Sequence, residues 1–145
     1  QDTIRNAWTD PEGKKEIWNL LETDSRARVI AIGRHTESLY LPCCVQTYED
    51  VTGSQGNVML VKTMDNFVEF LDYAKTDYIY IEAGYVAEGE RTDTLTCDLV
   101  EYGILTPVCY ENGNVLARVD VHGEKTEGSE EKLVEFKQNR RLQEP

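Results

Sequence analysis

The six residues Arg28-Val29-Ile30-Ala31-Ile32-Gly33 decide the fold class of this chain. The run is short, almost wholly apolar after its first residue, rich in β-branched side chains, and it ends at a glycine. Continuous rather than alternating apolar character is typical of a strand that is covered on both faces, as the strands of parallel sheets are. We therefore expect a sheet with helices on both sides.

Helix signals occur before and after this strand. Asp10 is a good N-cap and Pro11 suits the first helical position, so we expect a first helix over residues 11–22. Apolar residues at helical spacing predict a second helix over residues 63–75 and a third over residues 92–102.

Four further strands complete the predicted sheet. We expect them at residues 57–62, 78–81, 106–110 and 115–121, with Asn112-Gly113 in the turn between the last two. Asn-Gly is a strong hairpin signal because both central residues of a type I′ turn need positive φ. Strands that alternate with helices favour right-handed β-α-β crossovers. The pattern predicts an α/β fold, a three-layer, Rossmann-like sandwich with a mostly parallel sheet and an antiparallel hairpin at one edge.

The chain is strongly acidic, with 27 Asp and Glu against 15 Lys and Arg among 145 residues, and its net charge is −12. Residues 123–145 hold six acidic and five basic side chains, so nearly all of the net charge belongs to residues 1–122. We expect a single α/β domain over residues 1–122 and a charged, largely disordered or frayed-helical tail over residues 123–145. An acidic surface argues against nucleic-acid binding and against docking on anionic lipid.

Four cysteines, Cys43, Cys44, Cys97 and Cys109, leave the redox state open. Free thiols are among the most buried side chains, so one interpretation is four small buried groups. The alternatives are one structural disulfide in an exported domain, or a metal site. The sequence has neither a C-x-x-C pair nor ligand spacing around its two histidines, so we expect no metal.

The loop after the first strand, Gly33-Arg34-His35-Thr36-Glu37-Ser38, contains one glycine. A dinucleotide-binding loop carries several glycines here so that the pyrophosphate can approach the backbone closely. We therefore expect no cofactor. Arg34, Thr36 and Ser38 are candidate ligands for a phosphate, and the alternative is an ordinary loop at the end of a strand.

A second group of candidates follows the strand at residues 78–81. Glu82 and Glu88 come after the carboxyl end of that strand. Open α/β sheets bind their ligands at such ends, so both residues are candidate ligand-binding residues, and the alternative is a solvated acidic loop. No residue is assigned a catalytic role, because the sequence has no recognisable nucleophile–base signature.

Residues 18–121 resemble a soluble region of polytopic membrane glycosyltransferases that use polyprenyl-phosphate sugars, similar to the dolichyl-phosphate-mannose-protein mannosyltransferase family. The resemblance rests on the order of short phrases: RVIAIG (28–33), YLP (40–42), FVEFL (67–71), TDYIYI (76–81), LVEYGILTPV (99–108) and GNVLARV (113–119). In that family the catalytic Asp and Glu residues lie in loops between membrane spans. No catalytic residue is therefore carried over to this chain.

The resemblance implies a non-catalytic accessory domain on the extracytoplasmic side of a bacterial membrane. It would assist the binding of an acceptor or a lipid-linked sugar, and would meet the membrane only through segments outside this chain. Because the sequence begins at Gln1 without an initiator Met, we expect one domain of a larger protein. The alternatives are a stand-alone cytoplasmic α/β binding or regulatory domain, and a small enzyme with its site at the carboxyl ends of the strands.

Overall fold

The computed structural model describes residues 15–24, 26–32, 44–47, 63–84 and 89–140. Within these ranges lie four helices and five strands. In chain order they are α1 (Lys15–Thr23), β1 (Arg28–Ile32), β2 (Cys44–Thr47), α2 (Met64–Tyr73), β3 (Tyr78–Ile81), α3 (Arg91–Glu101), β4 (Leu105–Glu111), β5 (Asn114–Val119) and α4 (Ser129–Asn139).

The five described strands form one mixed sheet in the order β2-β1-β3-β5-β4. β1 is parallel to both of its neighbours, β2 and β3. β5 is antiparallel to both β3 and β4. The α/β class is confirmed. The expectation of a mostly parallel sheet is not confirmed, because two of the four described pairings are parallel and two are antiparallel.

The antiparallel hairpin lies at one edge of the sheet, as predicted from the turn sequence. Asn112 has φ of 53° and Gly113 has φ of 85°. Both central residues therefore occupy the left-handed region that a type I′ turn requires.

The strand β2 differs from the prediction. It pairs with β1 from Arg28 opposite Cys44 to Ala31 opposite Thr47, in a part of the chain for which the sequence pattern indicated no strand. Four residues are too few to show a hydrophobic period, so a strand of this length is invisible to pattern analysis. The strand predicted at residues 57–62 lies outside the described residues.

Helices cover both faces of the sheet. Ile30 and Ile32 of β1 belong to a larger apolar cluster with residues of α2, α3 and α4. Val29 and Ala31 belong to a smaller cluster with residues of α1. Successive side chains of a strand point to opposite faces, so β1 is buried on both sides. The described elements therefore form three layers.

The C-terminal segment departs most from the prediction of a disordered or frayed tail. Residues 129–139 form the helix α4, which packs on α3. Phe136 is fully buried within the larger cluster. A single aromatic side chain buries a large apolar area, so one such residue can dock a helix that is otherwise polar. The folded unit thus extends beyond the predicted boundary at residue 122, and residues 141–145 lie outside the described part.

A close backbone contact holds the segment that follows β5 against the end of α3. Gly103, which follows the third helix, has φ of 77°, in the left-handed region that glycine adopts readily. A Cβ atom at Gly103 would overlap the carbonyl of Glu124, and one at Gly123 would overlap the carbonyl of Gly103. The two glycines let the segment before α4 run against the end of α3.

Among the described helices, none combines the length and the apolar character that crossing a membrane would need.

Candidate functional site

The carboxyl ends of β1 and β3 lie side by side at one end of the sheet. This end is called the carboxyl edge, and the end at which these two strands begin is called the amino edge. Ile32 is the register partner of Ile81, so the two strands end at the same level. The next described strand after β1 is β2, on one side of β1, whereas the next described elements after β3 are α3 and then β4, which lies on the other side. Connections that depart in opposite directions open a crevice between two parallel strands, and ligands of open α/β sheets bind at such a point.

Glu82 is the first residue after β3 and lies at this crevice. Its backbone N–H donates to the carbonyl of Ile32 at 2.9 Å, which continues the parallel ladder by one residue. The residue is 7% exposed. A carboxylate is costly to bury, so its position beside the end of β1 is a specific feature of the fold.

Asn114 supports the backbone that follows Glu82. The N–H of Ala83 donates to the Asn114 side-chain oxygen Oδ1 at 2.8 Å. Asn114 is the first residue of β5, the other neighbour of β3. The role of Asn114 could not be predicted from the sequence, because its contact with Ala83 depends on the pairing of β5 with β3.

A buried ionic cluster joins the start of α3 to the end of α4. Asp93 is 6% exposed; its Oδ2 accepts the N–H of Gly89 at 2.9 Å, and its Oδ1 pairs with Nη1 of Arg140. Cys97, one turn further along α3, places Sγ at 3.5 Å from the same Nη1. Burial raises the pKa of the Cys97 thiol, and the charge of Arg140 acts in the opposite direction.

The other candidate residues have different outcomes. Arg34, Thr36, Ser38 and Glu88 lie outside the described residues, and of the five candidates the structure places only Glu82. Cys97 and Cys109 are free thiols. Within the described ranges, no group of three or more His, Cys, Asp or Glu residues is arranged to hold a metal ion.

A pocket of about 260 Å³ lies at the amino edge of the sheet, where β1 and β3 begin. Its wall includes Asp72, Lys75, Asp77 and Asp120. Two of these carboxylates accept hydrogen bonds from backbone N–H groups. Asp77 Oδ2 accepts the N–H of Arg28 at 3.0 Å, and Asp120 Oδ1 accepts the N–H of His122 at 3.0 Å. These contacts give both side chains a structural role in shaping the loops of the amino edge.

Comparisons of the chain with protein-family models, with curated proteins and with solved structures give no match.

Proposed function

We propose that this chain is a non-catalytic binding domain whose ligand lies at the carboxyl edge of the sheet, beside Glu82. We further propose that it is the accessory domain of a membrane-bound glycosyltransferase-like protein on the extracytoplasmic side of a bacterial membrane. There it assists the binding of an acceptor or a lipid-linked sugar donor. The observation that carries the binding role is the buried Glu82 between the carboxyl ends of β1 and β3, where their connections diverge.

The order of the three parallel strands supports a Rossmann-like interpretation of this half of the sheet. β2, β1 and β3 follow the order of the first strands in doubly wound folds of the flavodoxin type, which bind ligands between β1 and β3. The antiparallel hairpin stands in place of further parallel strands. On this proposal the ligand lies at the carboxyl ends of the parallel strands, as in those folds, although the other half of the sheet is antiparallel.

The chemistry of Glu82 indicates the class of ligand that this edge would bind. A carboxylate accepts hydrogen bonds only, so Glu82 suits a ligand that presents hydroxyl groups, as a sugar does.

The test is titration of the chain with geranyl phosphomannose, a short and soluble polyprenyl-phosphate sugar, followed by calorimetry and by melting temperature. Selective binding to the folded state raises the melting temperature. The variant Glu82→Gln keeps the size of the side chain and removes its charge. We expect it to lower affinity about tenfold, as the loss of a hydrogen bond to a charged group does.

The matched control is Asp77→Asn, which neutralises a carboxylate at the opposite edge and should bind the probe as the unchanged chain does. Equal binding by Glu82→Gln and the unchanged chain would overturn the placement of the site. Binding of a nucleotide, sugar phosphate or dicarboxylate without any binding of geranyl phosphomannose would favour the stand-alone cytoplasmic domain instead. Turnover of any of these probes that is lost in Glu82→Gln would favour the small enzyme.

A further inference from the structure

The helix α4 is attached to the larger face of the sheet by few side chains. Of its 11 residues, Ser129 and Phe136 alone are buried, and Leu133 packs against the larger cluster with partial burial. A helix that belongs to a domain core normally presents a continuous apolar stripe. The docking of α4 therefore depends on one aromatic ring and on polar contacts at the two ends of the helix.

The beginning of α4 is held by short contacts within the segment that enters it. The N–H of Thr126 donates to Oγ of Ser129 at 2.8 Å, and the N–H of Ser129 donates to the carbonyl of Thr126 at 3.1 Å. Before this turn, Gly123 packs on Gly103 so closely that a Cβ atom on either residue would overlap backbone. These contacts do not involve the rest of α4, so they can persist when the helix leaves the sheet.

The end of α4 is held by one cation. Arg140, the residue after the helix, pairs with the carboxylate of Asp93 on α3, and the two side chains are 13% and 8% exposed. The Arg140 guanidinium lies 5.2 Å from the centre of the Phe136 ring, so the ionic contact and the apolar contact adjoin. Nη1 of Arg140 also lies 3.5 Å from Sγ of Cys97, a buried thiol. Docking of α4 thus places Arg140 against this thiol.

α3 keeps its own contacts when α4 is absent. The second oxygen of Asp93 accepts the N–H of Gly89 at 2.9 Å, and a carboxylate in the first turn of a helix is favoured by the helix dipole. Leu95 and Leu99 of α3 are buried in the larger cluster together with residues of α2 and of the sheet. By contrast, a helix as short as α4 is marginal on its own in water, so α4 loses its helical hydrogen bonds when it undocks.

We propose that α4 is a strap that opens as one unit while the sheet and α3 stay folded, with the segment before Ser129 as its hinge and the Arg140–Asp93 pair as the contact that keeps it closed. Opening removes Phe136 from the larger cluster and exposes the thiol of Cys97 to solvent. The device does not depend on the ligand proposed at the carboxyl edge.

The first test is amide hydrogen exchange of the isotopically labelled full chain in urea concentrations below the unfolding transition. We expect the amides from Leu133 to Lys137 to share one opening free energy that is lower than that of the amides of β3, which lies between β1 and β5. Their opening should also depend less on urea, because it exposes less surface than global unfolding does.

Two results of the exchange experiment would overturn the proposal. Equal opening free energies and urea dependences for α4 and β3 would mean that α4 leaves the sheet only when the whole domain unfolds. Opening free energies that rise steadily from Lys137 back to Leu133 would mean that the helix frays from its end and does not open as a unit.

The second test measures alkylation of Cys97 by N-ethylmaleimide, located by mass spectrometry with peptide fragmentation. We expect Arg140→Gln to label about tenfold faster than the unchanged chain, as fits the loss of one charge-assisted hydrogen bond from the closed strap. Burial raises the pKa of the Cys97 thiol, and the charge of Arg140 opposes this effect. Loss of that charge from a closed strap would leave less thiolate and slow the reaction, so faster labelling indicates opening. Unchanged or slower labelling would overturn the role of Arg140.

The chain provides two matched controls. Cys109 packs against the smaller cluster on the other face, so its labelling should be the same in Arg140→Gln and in the unchanged chain. Faster labelling of both thiols would overturn the proposal, because the whole domain would then be opening. Lys125→Gln removes an ion pair with Glu101 that joins the segment before the strap to α3, and Cys97 should stay protected in it.

A conservative variant keeps the test decisive if Arg140→Gln does not fold. Arg140→Lys retains the charge but loses the planar guanidinium that reaches Asp93 and Phe136 together. We expect Cys97 to be labelled faster in Arg140→Lys than in the unchanged chain and more slowly than in Arg140→Gln. Labelling of Arg140→Lys at the rate of the unchanged chain, in the absence of a folded Arg140→Gln, would overturn the role of the pair.

Discussion

The two faces of the sheet are stabilised by different means. On the larger face, fifteen buried residues of the described chain form a continuous cluster beneath α2, α3 and α4. On the smaller face, six buried residues form the cluster beneath α1. The larger face buries enough apolar area to offset the free-energy cost of unfavourable polar groups packed on it. The second depends on a few large side chains and on polar contacts that hold its single described helix.

A carboxylate from the sheet provides the main polar contact on the smaller face. The two oxygens of Glu111, at the end of β4, accept the backbone N–H of Glu16 at 2.8 and 3.0 Å, and one of them accepts that of Ile17 at 3.1 Å. Backbone N–H groups in the first turn of a helix have no partner within the helix, and a negative charge there is favourable. The contact ties α1 to an edge strand 95 residues away in sequence.

The largest loss of stability should come from removing a buried side chain from the larger face. Phe136→Ala removes a fully buried ring, and we expect a loss of about 3–5 kcal/mol in the free energy of unfolding, measured by urea denaturation. The control is Val134→Ala on the same helix, where a side chain that is 54% exposed should change stability by about 0.5 kcal/mol at most. A loss of similar size in both variants would mean that α4 is not docked through Phe136.

A smaller loss is expected from the other face. Leu21→Ala should cost about 2–3 kcal/mol in the same assay, because a buried leucine is lost from a smaller cluster that can relax around it. Leu20, its neighbour in sequence, is 45% exposed, so Leu20→Ala is a matched control with little expected effect. If Leu21→Ala destabilises the chain more than Phe136→Ala does, the contrast between the faces is wrong.

Neutralising the Glu111 carboxylate should cost about 1 kcal/mol, the usual value of a helix cap. Glu111→Gln keeps an accepting oxygen but removes the charge, so the difference from the unchanged chain should shrink as salt is added. Glu22→Gln, an exposed change near the C-terminal end of the same helix, is the control and should not destabilise. Melting curves at low and high ionic strength measure both. A Glu111→Gln effect that does not respond to salt would contradict the electrostatic role.

The smallest effect on stability concerns the carboxylate of Asp98, on a helix of the larger face. Burial and the neighbouring charge of Glu101 raise the pKa of Asp98 on α3. A raised pKa means that the folded state holds the proton more tightly than the unfolded state, so the ionised carboxylate destabilises at neutral pH. Asp98→Asn should therefore stabilise the chain at pH 7 by about 0.5 kcal/mol at most. The gain should vanish as the pH falls below the normal range of an aspartate, where the unchanged chain is also neutral; a gain that persists there would contradict this origin.

Much of the described fold could be predicted from local pattern. The strand expected at residues 78–81 has the bounds of β3, and the helix expected from residue 63 begins there, where Thr63 caps α2 by accepting the N–H of Asn66 at 3.2 Å. α3 and the hairpin strands lie within two residues of their predicted ends. These elements have apolar periods or turn residues whose conformational preferences act over a few residues, so the signal is contained in the sequence itself.

The candidate site was predictable only in part. Glu82 could be selected because its place after a buried strand indicates the carboxyl edge of a sheet. Asn114 and Arg140 could not, because the contacts that give them a role join residues 31 and 47 positions apart. Nothing in the sequence near either residue indicates its partner.

The sequence by itself determined the class of the fold, since continuous and periodic apolar runs require a sheet between helices. The tertiary structure decided the order of the strands, the docking of α4 and the sharing of Asp93 between Gly89 and Arg140. The physical reason is the range of the interactions. Periodicity, capping and turn preferences depend on neighbours in sequence, whereas the burial of Phe136 and the pairing of buried charges depend on which surfaces meet after the chain has collapsed.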